Sequence, residues 1–338
     1  MASGSGCGKI GFNHNKTGNG SLEPEPDAAS VILRGMARNR GRTQKSTRSA
    51  IAIVGSGNLA NALAVALNHA GYGIDSIIAR DVRSSGARAR KLAKNVGSHA
   101  DSILRAPISA DIVWLCVPDS EISGVARLLA KDCEGKGANW KGKIALHSSG
   151  ALSSDELASL RRRGAAVASV HPLMTFVKGS GASLAGVSFA IEGDVAAVRR
   201  ARQIVNDLGG EPFPIRKQDK VAYHAWGTFA SPLLTALLAT SERVAAAARV
   251  PTKAARQRML PMVAQTIANY AAAGATSAFS GPIVRGDVEV VRRHLLALRG
   301  IPEAREVYVA LARAAVKYLP GKRREAMKKL LNNVRTMK

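Results

Sequence analysis

Cysteine is scarce. Cys7, Cys116 and Cys133 lie far apart and form no CxxC pair, which argues against a disulfide framework or a cysteine-based structural zinc site and fits a reducing, cytoplasmic setting. Aromatic residues make up 4% of the chain, and none interleaves the basic runs, so the stacking platform of a single-strand nucleic-acid binder is missing. Acidic residues number 24 against 49 Lys and Arg, a formal charge of +25. Residues 1–49 carry +5 of it and residues 319–338 carry +6, leaving +14 on the body. Such a surface attracts phosphate-bearing ligands without saying anything of fold. No continuous apolar stretch of the secretory kind stands at the amino terminus. Residues 1–48, rich in Gly, Ser, Asn and Pro, read as a disordered basic extension. Within it Met36 is a second candidate start, and the Arg-rich leader also imitates an organelle transit peptide.

Charge is also absent between Lys220 and Glu242, a span of bilayer length. His224, Trp226, Thr228, Ser231 and Pro232 interrupt it, so the expectation is a helix buried inside protein, with neither a membrane nor a specific nucleic acid as partner.

What is present suits two domains in 338 residues. Apolar runs at Ile51–Val54, Ile74–Arg80, ADIVWLCVP, KIALHSS and AAVASVHP alternate with helix-like segments such as Leu59–Ala70, Ile122–Lys131 and Ser154–Arg163. That alternation predicts parallel βαβ units, an α/β Rossmann-type sheet over 49–216. Two later strands, VSFAIEG and GEPFPI, flank a helix at Val195–Leu208 and extend the sheet. After Ile215 no strand pattern remains. Helices are expected at 218–248, 251–273 (broken near Pro261), 286–299, 302–318 and 321–334, giving an all-helical domain over 217–319 and a basic helix or tail over 320–338.

Gly55, Gly57 and Ala60 form G-x-G-x-x-A directly after a strand and before a helix. The first glycine permits a tight turn, the second lets backbone approach a pyrophosphate, and the alanine lets helix and strand pack closely. Gly55, Ser56, Gly57, Asn58, Leu59 and Ala60 are therefore the predicted dinucleotide cradle. The cofactor's 2′ position is read near the second strand's end. Asp81 could serve NAD, but Arg80, Arg83 and Ser84 make a phosphate clamp that favours NADP; as ordinary surface charges they would mean nothing.

Three further strands end in polar residues, where ligands of open parallel sheets bind. Val117, Pro118 and Asp119 with Ser148 are expected beside the cofactor, Ser149 at the substrate, and His147 and His171 as groups orienting it. Any one of these alone reads as a satisfied loop residue or helix cap. At 100° per residue, Lys220, His224, Thr228, Ser231 and Thr235 share one narrow face of a helix, opposite Trp226, Phe229, Leu233 and Leu237. This seam either lines a pocket or is structural, with Lys220 snorkelling near the helix start. Pro232 should bend the axis by removing the bond to Thr228.

Together G-x-G-x-x-A, CVPDSEI, HSSGAL, HPLMTF, FAIEGD, KVAYHAWGTFAS and GPIVRGD resemble a bacterial family that joins a Rossmann-like domain to a domain of unknown function, DUF2520. The resemblance covers about residues 50 to 315. That family is similar in layout to pyrroline-carboxylate reductase, the phosphogluconate and hydroxyisobutyrate dehydrogenases and coenzyme F420-dependent NADP reductases. The resemblance implies a helical domain like the C-terminal domain of 6-phosphogluconate dehydrogenase, and a homodimer paired through it. In the hydroxyacid dehydrogenases a lysine, followed four residues later by asparagine, points at the reacting carbon. Lys220 matches that lysine, and His224 stands where the asparagine is expected. Ser231 also departs from an expected asparagine, and Arg285 in GPIVRGD could bind an anionic substrate group.

The expected function is an NADP-linked oxidoreductase acting on a small carbonyl or imine, with Lys220 or His224 as proton donor. The alternative is a non-catalytic dinucleotide-binding regulatory protein. A metal held by His147, His171, His224 and Asp119 is a third reading, without a spacing motif to support it.

Overall fold

Strands form where short apolar, β-branched runs can be buried on both faces, as parallel sheets require. The computed structural model describes residues 48–79, 86–103, 108–131, 139–179 and 183–334. Its eight strands are β1 (Ile51–Val54), β2 (Ile74–Ala79), β3 (His99–Ser102), β4 (Ile112–Leu115), β5 (Ile144–His147), β6 (Ala166–Pro172), β7 (Ser188–Gly193) and β8 (Glu211–Pro214). They form one sheet in the order β3-β2-β1-β4-β5-β6-β7-β8. All neighbours are parallel except β6 and β7, where Ser169 faces Glu192 across an antiparallel pair. No helix separates these two strands among the described residues, and a parallel return needs such a crossover.

The strand order reverses between β1 and β4, which opens a crevice at their carboxyl ends. Helix α1 (Asn58–His69) follows β1 and buries Ala60, Leu63, Ala64 and Leu67, one helical stripe, against the sheet. Helices α2 (Gly86–Asn95), α3 (Asp119–Lys131), α4 (Ala158–Arg162) and α5 (Val195–Asp207) complete the layers. One core lies on each face: Ile53, Leu63, Trp114 and Phe189 belong to the first, Val54, Leu115, Leu129 and Trp140 to the second.

The rest of the chain is helical. Helix α6 (Lys220–Thr228) continues through a π turn at Phe229–Leu233 into α7 (Leu234–Ala247). Pro232 cannot donate to Thr228, and the wider π turn absorbs the missing bond. Then come α8 (Thr252–Ala278), α9 (Pro282–Arg285), α10 (Val288–Ala297), α11 (Pro302–Tyr318) and α12 (Arg324–Asn332). Val291, Leu295, Val309, Met327 and Leu331 form their core.

Two expectations are corrected here. Helix α8 runs on through Pro261 and breaks at Gly274 (φ 71°, ψ 173°), because the left-handed backbone there needs a residue without Cβ. The uncharged segment after Lys220 is not enclosed within the chain: Trp226 is 57% exposed and Phe229 70%. Among the described residues no helix is long and apolar enough to cross a membrane.

Candidate active site

The loop after β1 meets the loop after β4 at the crevice. Gly55 has φ +120°, and a Cβ on it would lie 2.3 Å from the Cys116 carbonyl oxygen, so the fold itself demands glycine. Gly57 is different. Its backbone is extended (φ −77°, ψ −175°), and a Cβ there would meet nothing within 4 Å. A Cβ would therefore fit at Gly57 among the described residues, and the space beside it opens at the N-terminus of α1. Among the described residues that end has no acidic residue in its first turn and no side-chain cap, so its positive dipole end fits an anionic phosphate. Asn58 Nδ2 donates to Phe176 O (3.0 Å), tying α1 to the segment after β6. Leu59 packs on the first core and Val117 on the second. Pro118 O accepts the Glu121 N–H. Arg80, Asp81, Arg83 and Ser84 lie outside the described residues, as do Cys7, Met36 and Cys133.

The loop after β5 is locked from below. Asp119 accepts a bond from Ser149 Oγ (2.7 Å), and the same Ser149 oxygen accepts the N–H groups of Ala151 and Leu152. His147 Nδ1 accepts the Ser149 N–H (3.1 Å) while Nε2 lies 3.0 Å from Ser153 O, which can only accept. His147 is therefore a neutral ring with its proton on Nε2. Burial holds it down to about 4. The polar side-chain atoms of His147 and Ser149 are thus engaged within the loop and by Asp119. Ser148 Oγ accepts from Trp114 Nε1 (2.8 Å) and lies beside Cys116, whose thiol burial pushes up to about 12.

Lys220 sits under this loop with no surface in contact with solvent. Its Nζ donates to Ser149 O (3.0 Å) and Ser169 Oγ (2.8 Å), and Ser169 Oγ donates on to Ser149 O (3.1 Å). Burial lowers the Lys220 ammonium to about 8, against the opposing pull of Glu192 and Asp119. Glu192, buried on β7, accepts the Ser154 N–H (2.6 Å) and hydroxyl (2.9 Å).

Above the loop stand two histidines and a tyrosine. His171 Nδ1 is 2.8 Å from the Tyr223 hydroxyl, and its ring meets the rings of Tyr223 (5.5 Å) and His224 (5.9 Å) edge to face. Gly150 lies beneath both histidines: a Cβ there would come within 2.6 Å of His224 Cδ2 and 2.8 Å of His171 Nε2. Burial foremost, with Lys220 and His224 adding to it, lowers His171 to about 4, and burial raises Tyr223 to about 12. His224 is exposed. Further along the seam, Thr228 and Thr235 turn their hydroxyls onto the carbonyls of His224 and Ser231. Ser231 is half-buried within the π turn. Arg285 is 61% exposed and pairs with Asp287 in the following turn (2.8 Å), on a helix that packs against α10 and α11.

Helix α6 thus brings Lys220, Tyr223 and His224 to the ends of β5 and β6. Sequence reasoning passed over Tyr223, Gly150, Ser169 and Glu192. Tyr223 shares a helical face with Lys220 at i+3, and Glu192 interrupts an otherwise apolar strand; both were readable signals. Among the described residues no group of three or more His, Cys, Asp or Glu side chains is disposed to hold a metal ion.

Residues 36–172 match the Rossmann-like domain family, and residues 187–315 match DUF2520. Among curated proteins none matches the chain. A candidate NADP oxidoreductase from Bacteroides fragilis is similar in structure, with TM-score 0.66 and 21% identity over 79% of this chain and 97% of that one. A protein from Thermotoga maritima gives 0.61 and 23% over 84% and 99%. A reductive aminase from Aspergillus terreus, in complex with cyclohexanone and allyl amine, gives 0.54 and 16% over 85% and 99%.

Proposed function

The chain carries a Rossmann-like domain followed by DUF2520, and on that premise we propose that it is an NADP-dependent oxidoreductase of small carbonyl or imine compounds. The single observation that carries this reading is Gly57, a glycine the fold does not require, at an uncapped helix N-terminus on the crevice where the strand order reverses. A nicotinamide dinucleotide supplies or accepts the hydride when bound. Gly55 to Ala60 hold its pyrophosphate through backbone N–H groups. Arg80, Arg83 and Ser84 select NADP by binding a 2′-phosphate, with Val117, Pro118 and Asp119 alongside. The likeness to a reductive aminase supports an imine or carbonyl as the reacting group.

The proton belongs to His224. It is exposed, stands over Gly150 and shares an edge with His171. During reduction its ring nitrogen gives a proton to the developing oxyanion or amine. Lys220 acts from beneath. With Nζ engaged by Ser149 O and Ser169 Oγ, it fixes the loop that carries Gly150 and lends positive charge to the site.

We propose also that the partner of the helical region is a second copy of the chain. Helix α8 packs mainly on α7 and leaves Met262 (67%), Ile267 and Tyr270 open, continuous in kind with Trp226 and Phe229. Beside α7 runs an apolar groove of about 520 Å³, lined among others by Leu237, Val244, Phe279, Ile283 and Leu311. A long helix with an open apolar face and an apolar groove on the same chain are complementary surfaces for reciprocal packing.

Titration of the purified protein with NADPH and NADH tests the reading, followed by a metabolite screen on whichever binds. Binding of neither would overturn it. Binding without any turnover would favour the regulatory reading. Lys220→Ala should abolish turnover and leave nucleotide affinity within about threefold, roughly 0.6 kcal/mol.

A further inference from the structure

The proposed oxidoreductase site contains a hydrogen-bonded pair, Tyr223 and His171. Building on that reading, we infer that Tyr223 is a positioning residue that holds His171 as the neutral Nε2–H tautomer, and that His171 so held donates to an acceptor atom of the substrate.

The direction of the bond follows from what each group can do. Tyr223 is 9% exposed, and among the described residues the partner of its hydroxyl is His171 Nδ1. A phenol needs an acceptor for its proton when buried. If Nδ1 carried a hydrogen and donated to the phenol, the phenol's own proton would be stranded without an acceptor. With Tyr223 donating, Nδ1 is the acceptor and the ring's hydrogen stands on Nε2.

Nε2 lies close over Gly150, 2.8 Å from where an added Cβ would stand, on a ring that is only half-buried. The charged and titratable groups around the ring are Lys220 and His224 from α6, His147 from β5 and Asp119 from α3. Asp119 is engaged by Ser149, and the other three all disfavour a second proton on His171. The ring is therefore a donor without charge. A neutral imidazole N–H can polarise a carbonyl or imine without adding a fixed cation.

This restricts the substrate. The reacting group must bring a lone pair to Nε2–H, so it is a carbonyl oxygen or an uncharged imine nitrogen. A preformed iminium, already protonated or alkylated at nitrogen, has nothing to accept with.

Imidazole-¹⁵N-labelled full-length protein decides the first half. Long-range proton–nitrogen correlations at neutral pH should show His171 as the Nε2–H tautomer. In Tyr223→Phe, which removes one oxygen, the ring should mix tautomers. An Nδ1–H ring in the wild type, or an unchanged tautomer in the variant, overturns the inference whether or not the protein is an enzyme. The kinetic half uses the substrate returned by the metabolite screen. His171→Leu should lose kcat by about 100-fold, the scale of a lost transition-state donor. His171→Gln, which keeps an N–H near the same place, should recover part of it, and Tyr223→Phe should lose about 10-fold with KM nearly unchanged. Equal rates for Leu and Gln, or a wild-type rate in Tyr223→Phe, would also sink it. NADPH titration of each variant separates these outcomes from failure of the function itself: absent nucleotide binding in the wild type counts against the oxidoreductase, and the tautomer result stands independently.

Discussion

At Gly150 the largest group the backbone admits is a hydrogen, since a methyl would lie 2.6 Å from His224 and 2.8 Å from His171. Gly150→Ala should push both rings out of place while costing only about 1–3 kcal/mol of stability, the usual price of local overpacking. The expected outcome is a fall in kcat of about tenfold or more with nucleotide affinity unchanged, measured by steady-state kinetics and NADPH titration. A wild-type kcat would mean that the histidines' arrangement is irrelevant to turnover. His147 and His171 also set an acid limit. Both are held down to about 4 from an ordinary 6.5, so between those values the unfolded chain takes up protons that the folded chain refuses. Stability is then fully present above about pH 6.5 and is lost as pH falls towards 4, with a slope of up to about 1.4 kcal/mol per pH unit for each ring. Urea unfolding at pH 7, 6 and 5 measures it. Replacing His147 with Gln should flatten the slope by about half. The same reasoning runs at the alkaline end for Lys220, lowered from 10.5 to about 8. The unfolded chain binds the extra proton between those values, so this lysine's burial costs stability at neutral pH, and the cost is relieved as pH rises from about 8 to 10.5.

The elements divide by how much of their pattern is local. Strands β1, β4, β5 and β6 are apolar runs bounded by glycine, proline or charge, and their place in an α/β sheet was legible from residue type alone. Strand β3, His-Ala-Asp-Ser, was not: it is a short edge strand, and edge strands carry polar residues because they need little burial. The antiparallel turn of β7 was equally hidden, since strand direction depends on the connection and not on the strand's own residues. The crevice was legible through G-x-G-x-x-A, yet its two glycines read alike in sequence and differ in space. Gly55 is required by the fold; Gly57 is not, and the proposed function gives it to the bound pyrophosphate. That contrast is testable at the α1 terminus. Gly57→Ala should leave the melting temperature within about 2 °C, because extended backbone there accommodates alanine. NADPH affinity should weaken by about tenfold, or about 1.4 kcal/mol, as the methyl enters the pyrophosphate's place. Lost stability with intact affinity would reverse the assignment. The site's lower half was hidden for another reason. Ser169 and Glu192 become neighbours only through cross-strand register, and Lys220 reaches them from 28 residues beyond Glu192 in sequence.

For the whole molecule, the decisive feature is an inversion of the expected helix. The sequence between Lys220 and Glu242 reads as buried because it is apolar and uncharged, and in the single chain only its polar beginning, Lys220, is fully enclosed. Trp226, Phe229, Leu233, Met262 and Tyr270 face outward instead. An apolar surface of this extent on two long helices is what the proposed second copy would cover, and the sequence pattern is satisfied again if it does. Because α6 runs through the π turn into α7, the helix that carries Lys220, Tyr223 and His224 is the same rod that would bear the partner. Light scattering after size exclusion should give twice the 35.4 kDa chain mass. In a two-fold dimer every interface residue is used twice, and burying one Phe side chain is worth about 1.5–3 kcal/mol. Phe229→Glu therefore removes two such contributions and adds two desolvated charges, enough to shift the equilibrium to a chain of single mass at micromolar concentration. His224 stands five residues before Phe229 on that rod, so the dissociated variant should keep its nucleotide affinity, proposed to lie at α1, and lose turnover. A variant that stays double-mass would show that Phe229 lies outside the interface, and a wild-type chain of single mass would leave the apolar face without the partner assigned to it.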